Sequence, residues 1–389
     1  MIAGKDPLKM NATITRRRLL QTLPALSVAQ SWAAKINWSA TDTDLVYLAV
    51  SGSSPGVYRA TWNPQTGHLG DPVLAAEIKA ASFLAFAKRG ALRLLFAVSE
   101  ANGPNAQVHS FRVQPDGGLE HVSTQPTLGN GPTHLDASPD GRAIVVANYG
   151  GGSTTSFRVL PDGTLSDPVS HFTYAEGTPH AKASHAHSAR FTPDGKHLLV
   201  NDLGLDAIYI YRADTTTADL HPIGTWHGRP GSGPRHLAFH PNGKWMYSVN
   251  ELDSTVDALR WDNAHGTLTS VAHVSTLPAD FPPGKAFAGE IGISPDGKSL
   301  YVGNRVANDT VAVFSLEDHG KTLRLVQFAS HGGRNTRHLT CDPRGKWLVL
   351  SNIGSGEVVI LPRLPGGTLS DAIQRTPLPG VMFVGFPSR

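Results

Sequence analysis

Residues 233–268 read GPRHLAFHPNGKWMYSVNELDSTVDALRWDNAHGTL, and the way this stretch divides decides the fold. Arg235 to Phe239 is one short run of strand-forming residues and Trp245 to Asn250 a second. Ser254 to Trp261 is a third, and Asn263 to Leu268 turns into a fourth. Between the first two, His240-Pro241-Asn242-Gly243-Lys244 predicts a tight turn, with Gly243 at the place that needs a positive φ. Short β-branched and aromatic runs punctuated by Gly, Pro, Asn and Asp are strand chemistry.

The pattern recurs along the chain. The turn glycines Gly90, Gly141, Gly195, Gly243, Gly297 and Gly345 are spaced by 51, 54, 48, 54 and 48 residues. A second marker, a polar turn ending in leucine, falls at Leu69, Leu119, Leu165, Leu220, Leu268, Leu323 and Leu369. A repeat near fifty residues with four strands per unit is the signature of a β-propeller blade. The expectation is therefore an all-β, seven-bladed β-propeller with four antiparallel strands per blade. The glycine series is one member short of the leucine series, and a circular fold explains this. The run Val381 to Phe386 supplies the first strand of the blade whose second strand is Leu45 to Val50. The missing turn is then the gap between the termini, and ring closure removes an exposed edge.

The repeat spans nearly all of the 389 residues, so residues 41–389 read as one domain behind a leader, residues 1–40. In the leader, Thr15-Arg16-Arg17-Arg18-Leu19-Leu20 precedes an apolar, small-residue stretch ending at Ala33-Ala34. That order of charged, apolar and small residues is an export signal, and paired arginines before Leu-Leu resemble the twin-arginine type. The expected location is periplasmic or secreted, or cytoplasmic if the leader is not a signal. No other run of eighteen apolar residues occurs, so no membrane span is expected. Net charge is +3 with no basic stripe after the leader, which argues against a nucleic-acid partner. Cys341 is the only cysteine, so no internal disulfide forms, and its place beside a turn suggests an inert buried thiol. The Pro-rich stretch 277–288 and the segment 174–184 read as loops over one face. A monomer is expected.

Hairpin geometry suggests where chemistry gathers. A tight turn brings the start of one strand beside the end of the next. Arg235 and Glu251 lie symmetrically about Gly243 and should be neighbours. The same mirror pairs His134 with Asn148, His187 with Asp202, Glu290 with Asn304 or Arg305, and Arg337 with Asn352. In a propeller the first strand of each blade lines the central channel. One channel mouth is then expected to hold His134, His185, His187, Arg235, His236, Glu251, Glu290, Arg305, Arg337 and His338. Arginine forks grip carboxylate or phosphate, and a Glu or His among them serves as acid or base. The bland readings stand beside this one. Asn148, Asp202, Asn250, Asn304 and Asn352 are also plain turn formers, and an Arg–Glu cross-strand pair is often only structural. His185 and His187 share a strand face and suit a metal, but arginine neighbours oppose a cation, so neither metal nor cofactor is expected.

Three stretches carry a family resemblance: GPRHLAFHPNGKWMYSVNEL (233–252), HAHSARFTPDGKHLLVNDLGLDAIYIYR (185–212) and EIGISPDGKSLYVGNR (290–305). They resemble the seven-bladed propeller lactonases, which include propeller-type 6-phosphogluconolactonases and 3-carboxy-cis,cis-muconate lactonizing enzymes. The resemblance covers about Leu45 to the C-terminus. The HAHS, PRH and NE motifs are its specific part, since PDGK turns are shared by many propellers. It implies a metal-free site using a His, an Arg and a Glu from successive blades, which fall here on His187, Arg235 and Glu251. Arg305 or Arg337 is implied as a further anion anchor. The expected activity is hydrolysis of a small anionic sugar-acid lactone. The alternatives are a lactonizing cycloisomerase acting on a muconate-like carboxylate and an exported propeller that binds without turnover. The export signal departs from a cytoplasmic sugar-phosphate role.

Overall fold

At every glycine turn foreseen above the backbone is left-handed, with φ between 58° at Gly90 and 72° at Gly195. A side chain ahead of the glycine seals several of these turns. Ser138 Oγ donates to Asp140 at 2.6 Å, Thr192 to Asp194 at 2.7 Å and Ser294 to Asp296 at 2.5 Å. The Ser/Thr-Pro-Asp-Gly sequence thus closes its own hairpin, as short oxygen-bearing side chains do in turns.

A computed structural model of the chain describes residues 45–174 and 183–387, all within one compact unit. The leader, and most of the segment expected to form a loop at 174–184, lie outside the described residues. Seven antiparallel sheets are present, each of four strands except the first, whose outer edge is split in two. The blade built around Gly243 contains Pro234–Phe239, Trp245–Asn250, Thr255–Asp262 and Thr267–Ser275 in spatial order. Sequence order and spatial order coincide in every blade but the first. There Val381–Gly385 pairs antiparallel with Leu45–Val50, setting Leu48 opposite Val384. The ring is closed by its C-terminal strand.

The blades adhere through apolar faces that read as near-continuous hydrophobic runs because both faces are covered. Leu94 to Val98 on the second strand of blade 2 are fully buried, and Ile144 to Ala147 repeat this in blade 3. Polar staples add register between blades. Tyr47 donates to Gly117 at 2.8 Å, and Tyr301 donates to Gly367 at 2.7 Å, each reaching the next blade. Both acceptors are positive-φ glycines, and a Cβ at Gly367 would come within 1.9 Å of Ser299 Oγ.

The Pro-rich insert is shorter than expected. Residues 286–288 are already strand, because Ala286–Ile293 pairs with the strand that ends at Val306. Cys341 is half-buried, and burial pushes its thiol up to about 12, leaving negligible thiolate at neutral pH. Among the described residues no helix is long and apolar enough to cross a membrane.

Candidate active site

Each inner strand carries the same irregularity near its beginning. In the Gly243 blade Pro234 faces Asn250 and His236 faces Val249, so Arg235 is an extra residue in the ladder. Ser82, Thr133, His187, Arg337 and Met382 are extra in their blades, and Gly289 with Glu290 share one partner in the sixth. Such a bulge re-aims side chains and is common beside active sites. Here it separates two consecutive residues, sending one to the mouth of the channel and the next into its bore.

This corrects two expectations. The mirror pairing is displaced by two residues at Asn148, which faces Pro132 rather than His134, and by one at Asp202 and Asn352, which face Ala186 and Thr336. Glu290 likewise faces neither Asn304 nor Arg305, which pair with Ala288 and Phe287. The ten residues expected at one mouth also divide. His185, His187, Arg235, Glu251, Arg305 and Arg337 form an upper tier. His134, His236, Glu290 and His338 form a lower one, mixed with Phe83 and Phe383.

The upper tier is an ion cluster centred on Glu251. Its Oε2 lies 3.0 Å from Arg235 Nε, 2.7 Å from Arg305 Nη2 and 4.0 Å from His187 Nε2. Arg235 is anchored further by Nη1, which donates to the Gly289 carbonyl at 2.9 Å. Arg337 is looser, with Nη2 4.0 Å from Glu100 Oε1. Side-chain exposure rises from 2% at Arg235 to 11% at Arg305 and 21% at Arg337, a gradient from wall to opening. Burial, then the charges of Arg305 and Arg337, bring the Arg235 guanidinium down to about 9. Burial, then the arginine charges and His236, hold His187 well below the ordinary histidine value. It is a neutral imidazole at pH 7. Its Nδ1 is buried with no partner among the described residues.

Tyr149 belongs to this tier although the sequence reading left it out. Its ring stacks on His185 with centroids 4.4 Å apart and meets His187 edge-on at 5.3 Å. Burial and the Glu251 charge raise its phenol, so it stays protonated as a donor. Glu100 was also left out. Both occupy the place directly after the second strand of their blade, as Glu251 does, and Arg305 follows Asn304 in the same way although its strand runs on to Val306. The backbone confirms the equivalence: Glu100 N donates to Ala80 O at 2.9 Å, Tyr149 N to Gly131 O at 2.9 Å and Glu251 N to Gly233 O at 2.8 Å.

The lower tier is drier and differently wired. His236 Nδ1 donates to Glu290 at 2.9 Å, and His338 Nε2 lies 3.5 Å from the same carboxylate. Phe83 packs against His134 at 4.2 Å and Phe383 at 4.6 Å, closing the bore. Burial, then Arg235 and other cations, keep His236 neutral, and burial lowers His338 to about 4. Below this plug a cavity of about 500 Å³ runs to the opposite mouth, past Asp136 and Arg190 to the turn prolines Pro139, Pro193 and Pro295.

Other candidates resolve as structure. Asn148, Asp202, Asn250, Asn304 and Asn352 are fully buried and stitch strand ends. Asp202 alone accepts from Ser184 Oγ, His185 N, Gly204 N and Leu205 N. His185 and His187 part company, the first stacked on Tyr149 with Nδ1 at its carbonyl (3.1 Å), the second turned to Glu251. No group of three or more potential metal ligands occurs among the described residues.

Comparison with known proteins agrees with the fold. Residues 38–386 match the family described as lactonase, 7-bladed β-propeller. A 6-phosphogluconolactonase of Bacillus subtilis is 30% identical over 315 residues, covering 80% of this chain and 88% of the relative. The structure of a periplasmic gluconolactonase from Pseudomonas aeruginosa superposes with a TM-score of 0.81 at 29% identity, covering 88% of this chain and 98% of that one. A putative 6-phosphogluconolactonase from Bacteroides fragilis gives 0.80 at 30% identity, with coverage of 90% and 99%.

Proposed function

We propose that this chain, which belongs to the seven-bladed β-propeller lactonase family, hydrolyses a sugar-acid lactone of the 6-phosphogluconolactonase type at the upper mouth of its channel. The observation that carries the reading is the meeting of a neutral, buried imidazole with two guanidiniums around one carboxylate.

Each group has a part set by its surroundings. Glu251, held by two guanidiniums, serves to fix Arg235, Arg305 and His187 in place. His187 serves as the base, being neutral, with Nε2 turned to the centre of the cluster 4.0 Å from Glu251 Oε2. It takes a proton from water as the oxygen attacks the lactone carbonyl. Charge growing on the carbonyl oxygen faces Arg235 and Arg305, the second the more open of the two. As the tetrahedral intermediate collapses, the ring C–O bond breaks and His187 returns its proton to the departing alkoxide. The acid product then loses a proton to solvent. Arg337 and Tyr149 remain to hold the rest of the substrate.

Purified protein lacking the leader should open glucono-lactones faster than buffer at neutral pH, and Arg235→Ala should remove the excess while the ring stays folded. No excess rate on plain or phosphorylated aldonolactones would end the reading. Conversion of muconates instead would establish the lactonizing alternative, and ligand-induced thermal stabilisation without turnover would leave a binding protein. Export through the leader is part of the proposal. Replacing Arg16 and Arg17 by lysine should retain the protein in the cytoplasm on cell fractionation.

A further inference from the structure

The upper mouth has a second pole opposite its reaction centre. Taken in ring order, blades 4 to 6 supply His187, Arg235 with Glu251, and Arg305. Blades 7 and 2 supply Arg337 and Glu100, which meet across blade 1. Blade 1 offers only Ser51 at the place held by Glu100, Tyr149 and Glu251 elsewhere, its amide bonding Gly380 O at 2.8 Å. The Arg337–Glu100 pair therefore bridges a sector without a large side chain of its own.

The pair is not a closed salt bridge. Its separation is 4.0 Å, and the partners are 21% and 30% exposed. Glu100 Oε2 is buried and has no hydrogen-bond partner among the described residues. A carboxylate oxygen so placed is costly unless something donates to it. Arg337 brings donors beside it and Glu100 brings acceptors, the combination that grips neighbouring hydroxyls of a polyol. Charge points the same way. Three guanidiniums face two carboxylates around a neutral His187, leaving one positive charge in excess. A lactone is neutral, and water attack puts negative charge on its carbonyl oxygen while His187 takes the proton, so the site keeps its single positive excess throughout. A phosphate monoester brings about −1.5 to −2 charge, and at this pole it would meet the Glu100 carboxylate.

We infer that Glu100 is a specificity-determining residue that accepts hydroxyl hydrogens from the substrate tail and repels a phosphate there, so that the site selects an unphosphorylated aldonolactone. This rests on the lactone reading above and narrows its substrate class. Arg337 donates to the same hydroxyls, while Arg235 and Arg305 serve the carbonyl end.

The test compares kcat/KM for glucono-1,5-lactone and its 6-phosphate in wild type, Glu100→Gln and Glu100→Ala. Binding of gluconate and 6-phosphogluconate is measured in parallel by calorimetry. Wild type should favour the unphosphorylated member of each pair. Glu100→Gln, which removes charge and keeps an acceptor, should raise kcat/KM for the phosphorylated lactone by about tenfold. Glu100→Ala should lower it for the plain lactone by about as much. A merely structural Glu100 would move both substrates together. Wild-type preference for the phosphorylated pair, or a ratio unchanged in Glu100→Gln, overturns the inference. Calorimetry reads the discrimination without turnover, so absent hydrolysis with intact discrimination would sink the hydrolase reading and leave the selectivity standing.

Discussion

Arg235 and His236 are consecutive in sequence yet serve different levels of the same channel, its mouth and its bore. The upper tier, reached by Arg235, is charged and strung along a gradient of exposure. The lower tier, reached by His236, is buried and plugged by Phe83 and Phe383. Its carboxylate, Glu290, is matched with two imidazoles rather than with arginines. One tier keeps guanidinium donors at an opening; the other uses similar residue types to seal a bore. Residue type alone does not mark an active site. The difference is made by a single inserted residue per strand.

Substitutions can break this contrast. Arg235→Ala should lower kcat/KM by about 10²–10³-fold, the usual loss for one donor facing a developing oxyanion, with far-ultraviolet circular dichroism unchanged. His187→Gln should cost roughly 10² or more, as loss of a general base does, with the loss mainly in kcat. In the lower tier, Glu290→Ala strands the His236 N–H in a buried place. The expected cost is about 1–3 kcal/mol of stability, or roughly 2–4 °C in Tm per kcal/mol. Activity of the folded fraction should stay within about tenfold of wild type on the same scale of transition-state energies. A result in which Glu290→Ala silences the enzyme without lowering Tm would erase the distinction between tiers.

Acidity probes both tiers at once, with smaller effects. His134, His187, His236 and His338 are all held below their ordinary values by burial. The unfolded chain takes up protons at these histidines near pH 6.5, while the native ring does not. Stability therefore falls as pH drops below about 6.5, and the His338 share of the decline ends near pH 4. Activity should behave otherwise. Because His187 is already the neutral base at pH 7, kcat/KM should stay level down through pH 6, where an unperturbed histidine would be losing its base form. A Tm constant from pH 7 to 5, or an acid limb centred near 6.5, would contradict these assignments.

Much of this was legible in the residues. Gly243 and its relatives demanded turns, the leucine series counted blades, and the Val381 run announced closure. Arg235 beside Glu251 followed from symmetry about one glycine. The bulges were not legible. A bulge changes no hydrophobic period at a strand end, so nothing in the sequence told Arg235 and His236 apart, and both were assigned to one mouth. Tyr149 and Glu100 had a signal in their repeat position, directly after the second strand. Glu100 was hidden because Ser99 stands where Asn148 and Asn250 mark the place in other blades. Tyr149 was hidden because aromatic residues are ordinary in strands.

The closure of blade 1 carries a consequence for biogenesis. Val381–Gly385 is made after every other strand described here, yet it lies innermost in the first blade. Until it emerges, Leu45–Val50 presents a bare edge to the cell, and nascent chains are exposed to strand exchange with one another. Cutting the polypeptide just before Val381 would thus yield a sticky crescent rather than a slightly shorter disc, however intact the remaining blades.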